Sequence, residues 1–271
     1  MTTYLYGGNV HANGIRQHYL RFGGKGDVVI LLPGITSPAP TWNFVAERLG
    51  KVFDVYTLDA RGRGLSDVSP LGDYSLDVYA KDVAEFVKVR NIQHYYVIGH
   101  SMGARTAIRL GRHHREGIGK LILVDPPVSG PGRANYPTPL SWYVDSIRLS
   151  QAGVRAEELR PYSPTWSDYH LQVRAEWLHT CNEEAIVKTY RGFHEENIQD
   201  DLPYVQAPTT LIAAGRGGVI ADTDIAEFKR LMPKIDVVRM HNAGHMVPWD
   251  DFEGFFAELK KILPAANRGG Y

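Results

Sequence analysis

Short apolar runs alternate with helix-forming stretches along most of this sequence. The runs are continuous, which is typical of strands buried on both faces of a parallel sheet. The stretches between them place apolar residues at helical spacing. This alternation predicts an α/β fold in which helices flank a mostly parallel sheet. The predicted strands are residues 28–32, 52–58, 95–100, 121–125, 209–215 and 235–240, and the predicted helices are residues 41–49, 75–89, 102–111, 224–232 and 252–262.

The chain opens differently, with two apolar segments separated by a turn signal. Residues 4–10 and 15–22 are predicted to be strands, and Asn13-Gly14 lies between them. This pair tolerates the positive backbone angles of a tight hairpin turn. We therefore expect the first two strands to be antiparallel.

Residues 128–206 break the regular alternation of strands and helices. Prolines are frequent there, and several helical stretches carry many aromatic residues. Ligands of α/β sheets bind at the carboxyl ends of the strands, so a helical insertion after such a strand would cover the site and exclude water. We expect an α/β core of residues 1–127 and 207–271 and a helical cap insertion of residues 128–206.

Charge and composition exclude several functional classes. The 271 residues include 30 basic and 30 acidic ones, and the resulting formal charge of zero disfavours nucleic-acid and membrane partners. No segment resembles a secretory signal or a membrane span, so a cytoplasmic protein is expected. The single cysteine, Cys181, excludes an internal disulfide, and its polar helical surroundings disfavour a thiol nucleophile. The adjacent His113 and His114 are splayed on a helix, so no metal site is expected, and no pattern predicts an oligomeric state.

The strongest chemical motif is Gly99-x-Ser101-x-Gly103, which lies between a predicted strand and a predicted helix. A serine at such a turn holds a strained backbone conformation, and the flanking glycines let the strand and helix approach closely. The turn presents the hydroxyl at the carboxyl edge of the sheet, where a nucleophile is needed. A chance match in a loop is the alternative, and the context argues against it. We predict that Ser101 is a nucleophile.

A carboxylate and an imidazole follow later strands. Asp125 ends the predicted strand 121–125, where it can orient a catalytic imidazole, although an aspartate that only forms a turn is the alternative. Asp222 and Asp224 are further candidate acids that helix capping would also explain. His245 follows the last strand and is the predicted base, with His241 as its rival. The predicted order is serine, aspartate, histidine.

Two loops near the turn at Ser101, the nucleophile elbow, contain further candidate functional groups. Pro33-Gly34-Ile35-Thr36 follows the strand 28–32, and the backbone N–H groups of Ile35 and Met102 are predicted to form an oxyanion hole. A plain Pro-Gly turn is the alternative. The loop of residues 59–67 contains two arginines, for which ion pairs that hold the turn are favoured over binding of a phosphate or carboxylate.

Four motifs together resemble the α/β-hydrolase superfamily. They are Pro33-Gly34, Asp59-Ala60-Arg61-Gly62-Arg63-Gly64-Leu65-Ser66, Gly99-His100-Ser101-Met102-Gly103 and Gly244-His245. The resemblance covers nearly the whole chain outside the cap and implies the α/β-hydrolase fold. Two positions depart from the superfamily: Pro33 stands where a histidine is usual, and Gly218 stands where many members carry their acid. The second departure favours Asp125 as the acid.

Within that superfamily the chain resembles the N-formylmaleamate deformylases of bacterial nicotinic acid degradation. The resemblance rests on Tyr-Leu-Tyr-Gly-Gly-Asn-Val, Pro-Gly-Ile-Thr-Ser-Pro, the arginine-rich loop and Gly-His-Ser-Met-Gly-Ala-Arg. It implies hydrolysis of N-formylmaleamate to maleamate and formate without a metal or organic cofactor. The expected substrate is a small anionic amide or ester, whose carboxylate requires a cationic partner. The cap candidates are Arg133, Arg148, Arg174, Arg191 and His194, together with His170 and His179.

Three other functions stay open at this point. Hydrolases of other small esters, enol-lactones or amides use the same triad, because the cap determines the substrate. Carbon–carbon bond hydrolases of ring-cleavage products use it as well. A ligand-binding protein on a hydrolase scaffold is the third alternative, and the complete set of Ser101, Asp125 and His245 argues against it. Haloalkane or epoxide opening is disfavoured because the elbow carries a serine, not an aspartate.

Overall fold

The computed structural model describes residues 2–263, so Met1 and residues 264–271 of the predicted core lie outside the described residues. The strands within that range are Tyr4–Ala12 (β1), Ile15–Phe22 (β2), Val28–Leu32 (β3), Asp54–Leu58 (β4), Tyr95–His100 (β5), Ile118–Val124 (β6), Thr209–Ala214 (β7) and Asp236–Met240 (β8). These strands of the described chain form one sheet in the order β1-β2-β4-β3-β5-β6-β7-β8. The pairs β1–β2 and β2–β4 are antiparallel, and the later pairs are parallel.

The hairpin between β1 and β2 forms where the sequence predicts it. Asn13 and Gly14 adopt φ values of 45° and 75°, the positive angles that a tight hairpin turn requires. Ala12 pairs with Ile15 directly across the turn.

Helices cover both faces of the sheet. The α-helices are Asn43–Leu49 (α1), Leu76–Val89 (α2), Met102–His113 (α3), Leu140–Gln151 (α4), Asp168–Trp177 (α5), Glu183–Glu195 (α6), Asp222–Leu231 (α7), Val247–Asp250 (α8) and Phe252–Ile262 (α9). Successive side chains of a strand point to opposite faces, so β3 contributes to both cores. Val29 and Leu31 pack with α1 and α9, whereas Ile30 and Leu32 pack with α2, α3 and α7.

Several element boundaries differ from the sequence prediction by one to three residues; β6, for example, starts at Ile118 instead of residue 121. The predicted strand 52–58 starts at Asp54, because the N–H groups of Val52 and Phe53 instead bond the carbonyl oxygen of Leu49 and complete the turn after α1. The predicted helix 224–232 starts earlier, at Asp222. Among residues 2–263, no helix combines the length and the apolar character needed to cross a membrane.

The predicted cap lies between β6 and β7 and contains α4, α5 and α6. A third apolar cluster joins it to the core, with Tyr79 and Met102 from core helices and Leu171, Ile186 and Phe193 from the insertion. This cluster lies above the carboxyl ends of the strands, because Met102 directly follows the elbow at the end of β5. The packing is consistent with the predicted cap of residues 128–206.

Arg105, on α3, ties both ends of the insertion to the core. Its guanidinium donates to the carbonyl oxygens of Pro127 at 2.8 Å, Ser129 at 3.0 Å, Glu196 at 2.7 Å and Gly192 at 3.3 Å. Burial lowers the pKa of Arg105 to about 10. The four oxygens compensate for the loss of water around this charge, so Arg105 is a structural clamp.

The arginine-rich loop of residues 59–67 is held by buried polar contacts. The carboxylate of Asp59 is completely buried and accepts hydrogen bonds from the backbone N–H groups of Ala39 at 2.6 Å and Leu65 at 3.1 Å. Arg61 donates to the buried carboxylate of Asp82 at 2.7 Å. These contacts match the favoured interpretation, in which ion pairs hold the turn.

Candidate active site

Ser101 occupies a strained turn between β5 and α3. Its φ and ψ are 54° and −117°, a region that side-chain-bearing residues rarely adopt. A Cβ atom on Gly99 would lie 2.3 Å from the carbonyl oxygen of Gly103, and one on Gly103 would lie 1.9 Å from that of Leu32. Only glycine fits at these two positions. The sequence-predicted elbow is therefore present.

The predicted nucleophile, base and acid lie in hydrogen-bond contact. His245 Nε2 is 3.1 Å from Ser101 Oγ, and His245 Nδ1 is 2.7 Å from Asp125 Oδ2. Because Asp125 accepts from Nδ1, that nitrogen carries the hydrogen and Nε2 is free to accept the serine proton. The arrangement can activate the serine hydroxyl for attack on a carbonyl carbon.

Asp125 is buried and held by backbone donors. Its Oδ1 accepts from the N–H of Ala214 at 3.1 Å, and its Oδ2 accepts from the N–H of Val219 at 3.0 Å. Burial alone would raise the pKa of Asp125, but the hydrogen bond and charge of His245, with the two backbone donors, lower it overall. Asp125 is therefore ionised at neutral pH.

Gly218 explains how the acid reaches this position. A Cβ atom on Gly218 would lie 3.0 Å from both carboxylate oxygens of Asp125 and 2.6 Å from the Cβ of Ala214. The loop after β7 thus leaves room for a carboxylate that comes from the neighbouring strand, β6. The next residue, Val219, supplies a hydrogen bond to that carboxylate.

The rival acids and the rival imidazole lie elsewhere. Asp222 is exposed and forms an ion pair with Arg239. Asp224 accepts from the N–H of Ala221 at 2.8 Å, which caps α7. His241 is exposed at the end of β8. The structure places none of these three against Ser101.

The predicted oxyanion donors flank the elbow. A hydrogen bond of 3.2 Å from the N–H of Ser37 to the carbonyl oxygen of Gly34 closes a turn that leaves the N–H of Ile35 outside this bond. The Nε of Arg63 donates to the carbonyl oxygen of Ile35 at 3.0 Å, which fixes the orientation of that turn. Met102 opens α3, so its N–H has no acceptor within the helix. Both N–H groups are thus left available to an oxyanion, and the oxyanion hole stays a prediction.

A cavity of about 230 Å³ opens above Ser101 and His245. Core loops form its floor, and the insertion supplies most of its aromatic wall. The sequence analysis assigned no substrate contact to this wall or to Thr36, although the aromatic content of the insertion was a signal for the wall. The wall residues are Tyr136, Trp142, Tyr143, Tyr162 and Trp166.

Of the cap residues predicted to contact substrate, the structure brings Arg174 alone into the described lining of this cavity. Arg133 bonds Glu227 at 2.6 Å, because it packs beside α7. Arg148 bonds Glu183 at 2.6 Å on the exposed surface. Arg191 is exposed, and the ring of His194 packs 5.2 Å from that of Tyr190. Among these candidates, we therefore keep Arg174 alone as a predicted substrate contact.

The two further histidines of the insertion are also outside this lining. His170 is half-buried in an aromatic group, with its ring 4.5 Å from that of Phe44. His179 is exposed in a short 3-10 helix after α5.

His100, which precedes the nucleophile, is held in its neutral form. Its Nε2 lies 2.8 Å from the carbonyl oxygen of His245 and so carries the hydrogen, which it donates. Burial and the neighbouring imidazole of His245 lower the pKa of His100 to about 3. His100 thus supports the loop that carries the base.

The buried His100 predicts a pH dependence of stability. Between the ordinary histidine pKa of about 6.5 and the native value of about 3, the unfolded chain binds a proton that the native protein does not. Stability is therefore lost as the pH falls through this range. We expect the free energy of unfolding, measured with urea, to fall between pH 7 and pH 4.5 in the wild type. In His100→Gln this fall should be about 2–3 kcal/mol smaller. Equal losses in the two proteins would contradict this assignment.

Cys181 is fully buried in the insertion, and burial raises the pKa of its thiol to about 12. We expect iodoacetamide at pH 8 to leave the native protein unmodified, because the thiolate fraction is about a thousandfold lower than for an ordinary cysteine. Mass spectrometry should show complete modification once guanidinium unfolds the chain. Rapid modification of the native protein would show that the thiol is reactive.

Comparisons with known proteins agree with this geometry. A family model for the alpha/beta hydrolase fold matches residues 27–252. The chain belongs to the α/β-hydrolase family. Among relatives of this hydrolase, N-formylmaleamate deformylase of Pseudomonas putida strain KT2440 is 57% identical over 97% of this chain and 98% of its own.

Solved structures extend the comparison. A crystal structure of the N-formylmaleamic acid deformylase of Pseudomonas putida S16, a serine-to-alanine variant, superimposes on this hydrolase with a TM-score of 0.90. Its identity is 50%, and the match covers 94% of this chain and 100% of that chain. E-2-(acetamidomethylene)succinate hydrolase matches with a TM-score of 0.79 and 21% identity over 95% and 98% of the two chains, which shows the shared fold alone.

Proposed function

We propose that this α/β hydrolase cleaves the formyl amide of N-formylmaleamate and releases maleamate and formate. The observation that carries the proposal is the contact of Ser101, His245 and Asp125 beneath a small cavity. The 57% identity to a deformylase over nearly the full length of both chains supports the choice of substrate.

In the first half of the reaction, Ser101 Oγ attacks the formyl carbon while His245 Nε2 takes its proton. The backbone N–H groups of Ile35 and Met102 stabilise the oxyanion, and one such donor contributes about 3–4 kcal/mol. The C–N bond then breaks, and His245 returns the proton to the departing nitrogen. Maleamate leaves, and the formyl group stays on Ser101 as an ester.

In the second half, His245 takes a proton from water, which attacks the formyl ester. Breakdown of the second oxyanion releases formate and restores the Ser101 hydroxyl. The leaving nitrogen of N-formylmaleamate is flanked by a second carbonyl, which makes it a better leaving group than that of an ordinary amide. A serine triad can therefore complete the reaction without a metal or organic cofactor.

The proposed substrate sets the biological context. In the deformylase family this reaction belongs to bacterial nicotinic acid degradation, and we propose the same role here. We propose a cytoplasmic location as well, which cell fractionation with an antibody would test.

Formate release tests the proposed function directly. Purified protein is mixed with N-formylmaleamate, and formate is measured with formate dehydrogenase, with fluorophosphonate-inactivated protein as the control. We expect formate from the active protein alone. Small aryl esters, an enol-lactone and a coloured ring-cleavage dienoate are assayed in parallel. Turnover of one of these without any formate from N-formylmaleamate would overturn the deformylase assignment.

A further inference from the structure

Arg174 is a buried cation at the cavity that contains Ser101. It lies in the last turn of α5, and only 3% of its surface is exposed. Its guanidinium carbon lies over two indole rings, 5.6 Å from the ring centroids of both Trp142 and Trp166. All three side chains line the cavity. A charge in this position has lost its water and needs a partner.

The protein provides Arg174 with weak partners. Two guanidinium nitrogens approach the carbonyl oxygen and Oγ1 of Thr36 at 3.5 and 3.4 Å, longer than ordinary hydrogen bonds. The buried Nε has no hydrogen-bond partner among the described residues. Burial also lowers the pKa of Arg174, although a guanidinium stays charged at neutral pH.

Other buried arginines of the described chain are compensated. Arg61 has the carboxylate of Asp82, and Arg105 has four carbonyl oxygens. Arg63 donates to the carbonyl oxygens of Ile35 and Arg61 and to two hydroxyl groups. Arg174 differs from all three, because it lacks partners of this kind and also lines a ligand cavity.

The nearby ionisable groups do not neutralise Arg174. Asp250 lines the same cavity, but no ion pair joins it to Arg174 among the described residues; its carboxylate accepts from the N–H of Gly244 at 2.8 Å and the hydroxyl of Thr165 at 3.1 Å. Burial raises the pKa of Tyr143 well above its ordinary value and that of Cys181 to about 12, so both stay neutral. Within the part of the chain that the structure describes, Arg174 thus has no ion-pair partner.

We propose that Arg174 binds the carboxylate of the substrate between the planes of Trp142 and Trp166, so that the enzyme selects short acyl compounds with one terminal carboxylate. Arg174 contacts Thr36, which directly follows the oxyanion residue Ile35. The short separation between Arg174 and the oxyanion hole therefore limits the length of such a substrate. A carboxylate forms two charge-assisted hydrogen bonds with a guanidinium, which a neutral substrate cannot do. This inference rests on the proposed function for the identity of the substrate.

Kinetics on matched substrates test the proposal. Arg174→Met keeps much of the apolar stem and removes the charge, and Arg174→Lys keeps the charge without the planar fork. On N-formylmaleamate we expect Arg174→Met to lower kcat/KM on the order of 10- to 100-fold, mainly through KM, and Arg174→Lys to lower it less. On the neutral methyl ester of the same compound, we expect Arg174→Met and the wild type to have the same kcat/KM.

The control variant is Arg148→Gln. Arg148 lies in the last turn of α4, as Arg174 does in α5, but it is outside the cavity. Both substrates should react with it as with the wild type. An equal loss on both substrates in Arg174→Met, or no loss on either, would overturn the proposal. Fluorophosphonate labelling of Ser101 at the wild-type rate shows that the variant is folded and that its triad is intact.

A second pair of substrates separates this proposal from the deformylase assignment. Mono-p-nitrophenyl succinate carries a carboxylate, and p-nitrophenyl butyrate does not; neither requires a formyl amide. We expect the wild type to prefer the charged ester and Arg174→Met to lose that preference. A wild type without the preference would overturn the role of Arg174. Absence of formate from N-formylmaleamate, with the preference intact, would overturn the substrate assignment alone.

A melting curve distinguishes binding from structural support. An unpaired buried charge costs free energy in the empty protein, so Arg174→Met should melt at or above the temperature of the wild type. Maleamate should raise the melting temperature of the wild type and leave that of Arg174→Met unchanged. A large drop in the melting temperature of Arg174→Met, with maleamate still stabilising it, would show that Arg174 only supports the fold.

Discussion

Ser101→Ala should lower the rate of formate release by about 10⁵-fold or more, because it removes the hydroxyl that His245 Nε2 contacts and activates. Alanine differs from serine only by the hydroxyl oxygen, so we expect residue 101 to keep its backbone conformation and the variant to fold. Formate is measured in single-turnover assays with variant protein in large excess over N-formylmaleamate. Trace wild-type protein is excluded by fluorophosphonate treatment before the assay.

Two further measurements sharpen this prediction. Ser163→Ala removes a hydroxyl from the same cavity without touching the triad and should keep kcat within about threefold of the wild type. Ser101→Ala should still bind maleamate, because the cavity wall is unchanged. If Ser101→Ala kept a tenth of wild-type activity, a nucleophile other than Ser101 would have to act.

The sequence predicted most of the fold and the candidate triad for local reasons. The central parallel strands contain continuous apolar runs, and the elbow depends on two glycines that cannot be replaced without a clash. Parallel strands bring their carboxyl ends to one edge, so Asp125 and His245 converge on Ser101 although they are distant in sequence. Patterns of this kind need no knowledge of tertiary packing.

The choice among the cap arginines depends on packing and could not be made in this way. Arg148 and Arg174 both lie in the last turn of a helix, where a basic residue suits the helix dipole. In the folded protein Arg148 meets Glu183 at the surface, and Arg174 is enclosed by Trp142 and Trp166. The packing of α5 over the cavity creates this difference.

The acid position shows an intermediate case. Gly218 signalled that the usual acid is missing, and this favoured Asp125. The sequence did not show that Asp125 requires a glycine at position 218. The structure shows this, because a Cβ atom there would lie 3.0 Å from the carboxylate oxygens of Asp125. The carboxylate of Asp125 thus fits only when residue 218 carries no side chain.

Asp125→Asn should lower kcat by about 10⁴-fold, the second-largest effect we expect. Without the carboxylate, His245 is no longer held with its hydrogen on Nδ1, and the imidazolium formed during attack loses its counter-charge. An amide also opposes one of the backbone donors, Ala214 or Val219, which should lower the free energy of unfolding by about 1–3 kcal/mol. Formate release gives kcat, and urea unfolding gives the stability.

The matched controls are Asp222→Asn and Asp224→Asn, which make the same chemical change at the two rival acids. Both aspartates support α7 and neighbouring arginines, so these variants should lose some stability and keep kcat within about threefold of the wild type. The rate of fluorophosphonate labelling should fall in Asp125→Asn alone, because it reports the activation of Ser101 without any acyl substrate. A loss of activity in Asp222→Asn or Asp224→Asn as large as that in Asp125→Asn would mean that the acid lies after β7, as in many other hydrolases of this fold.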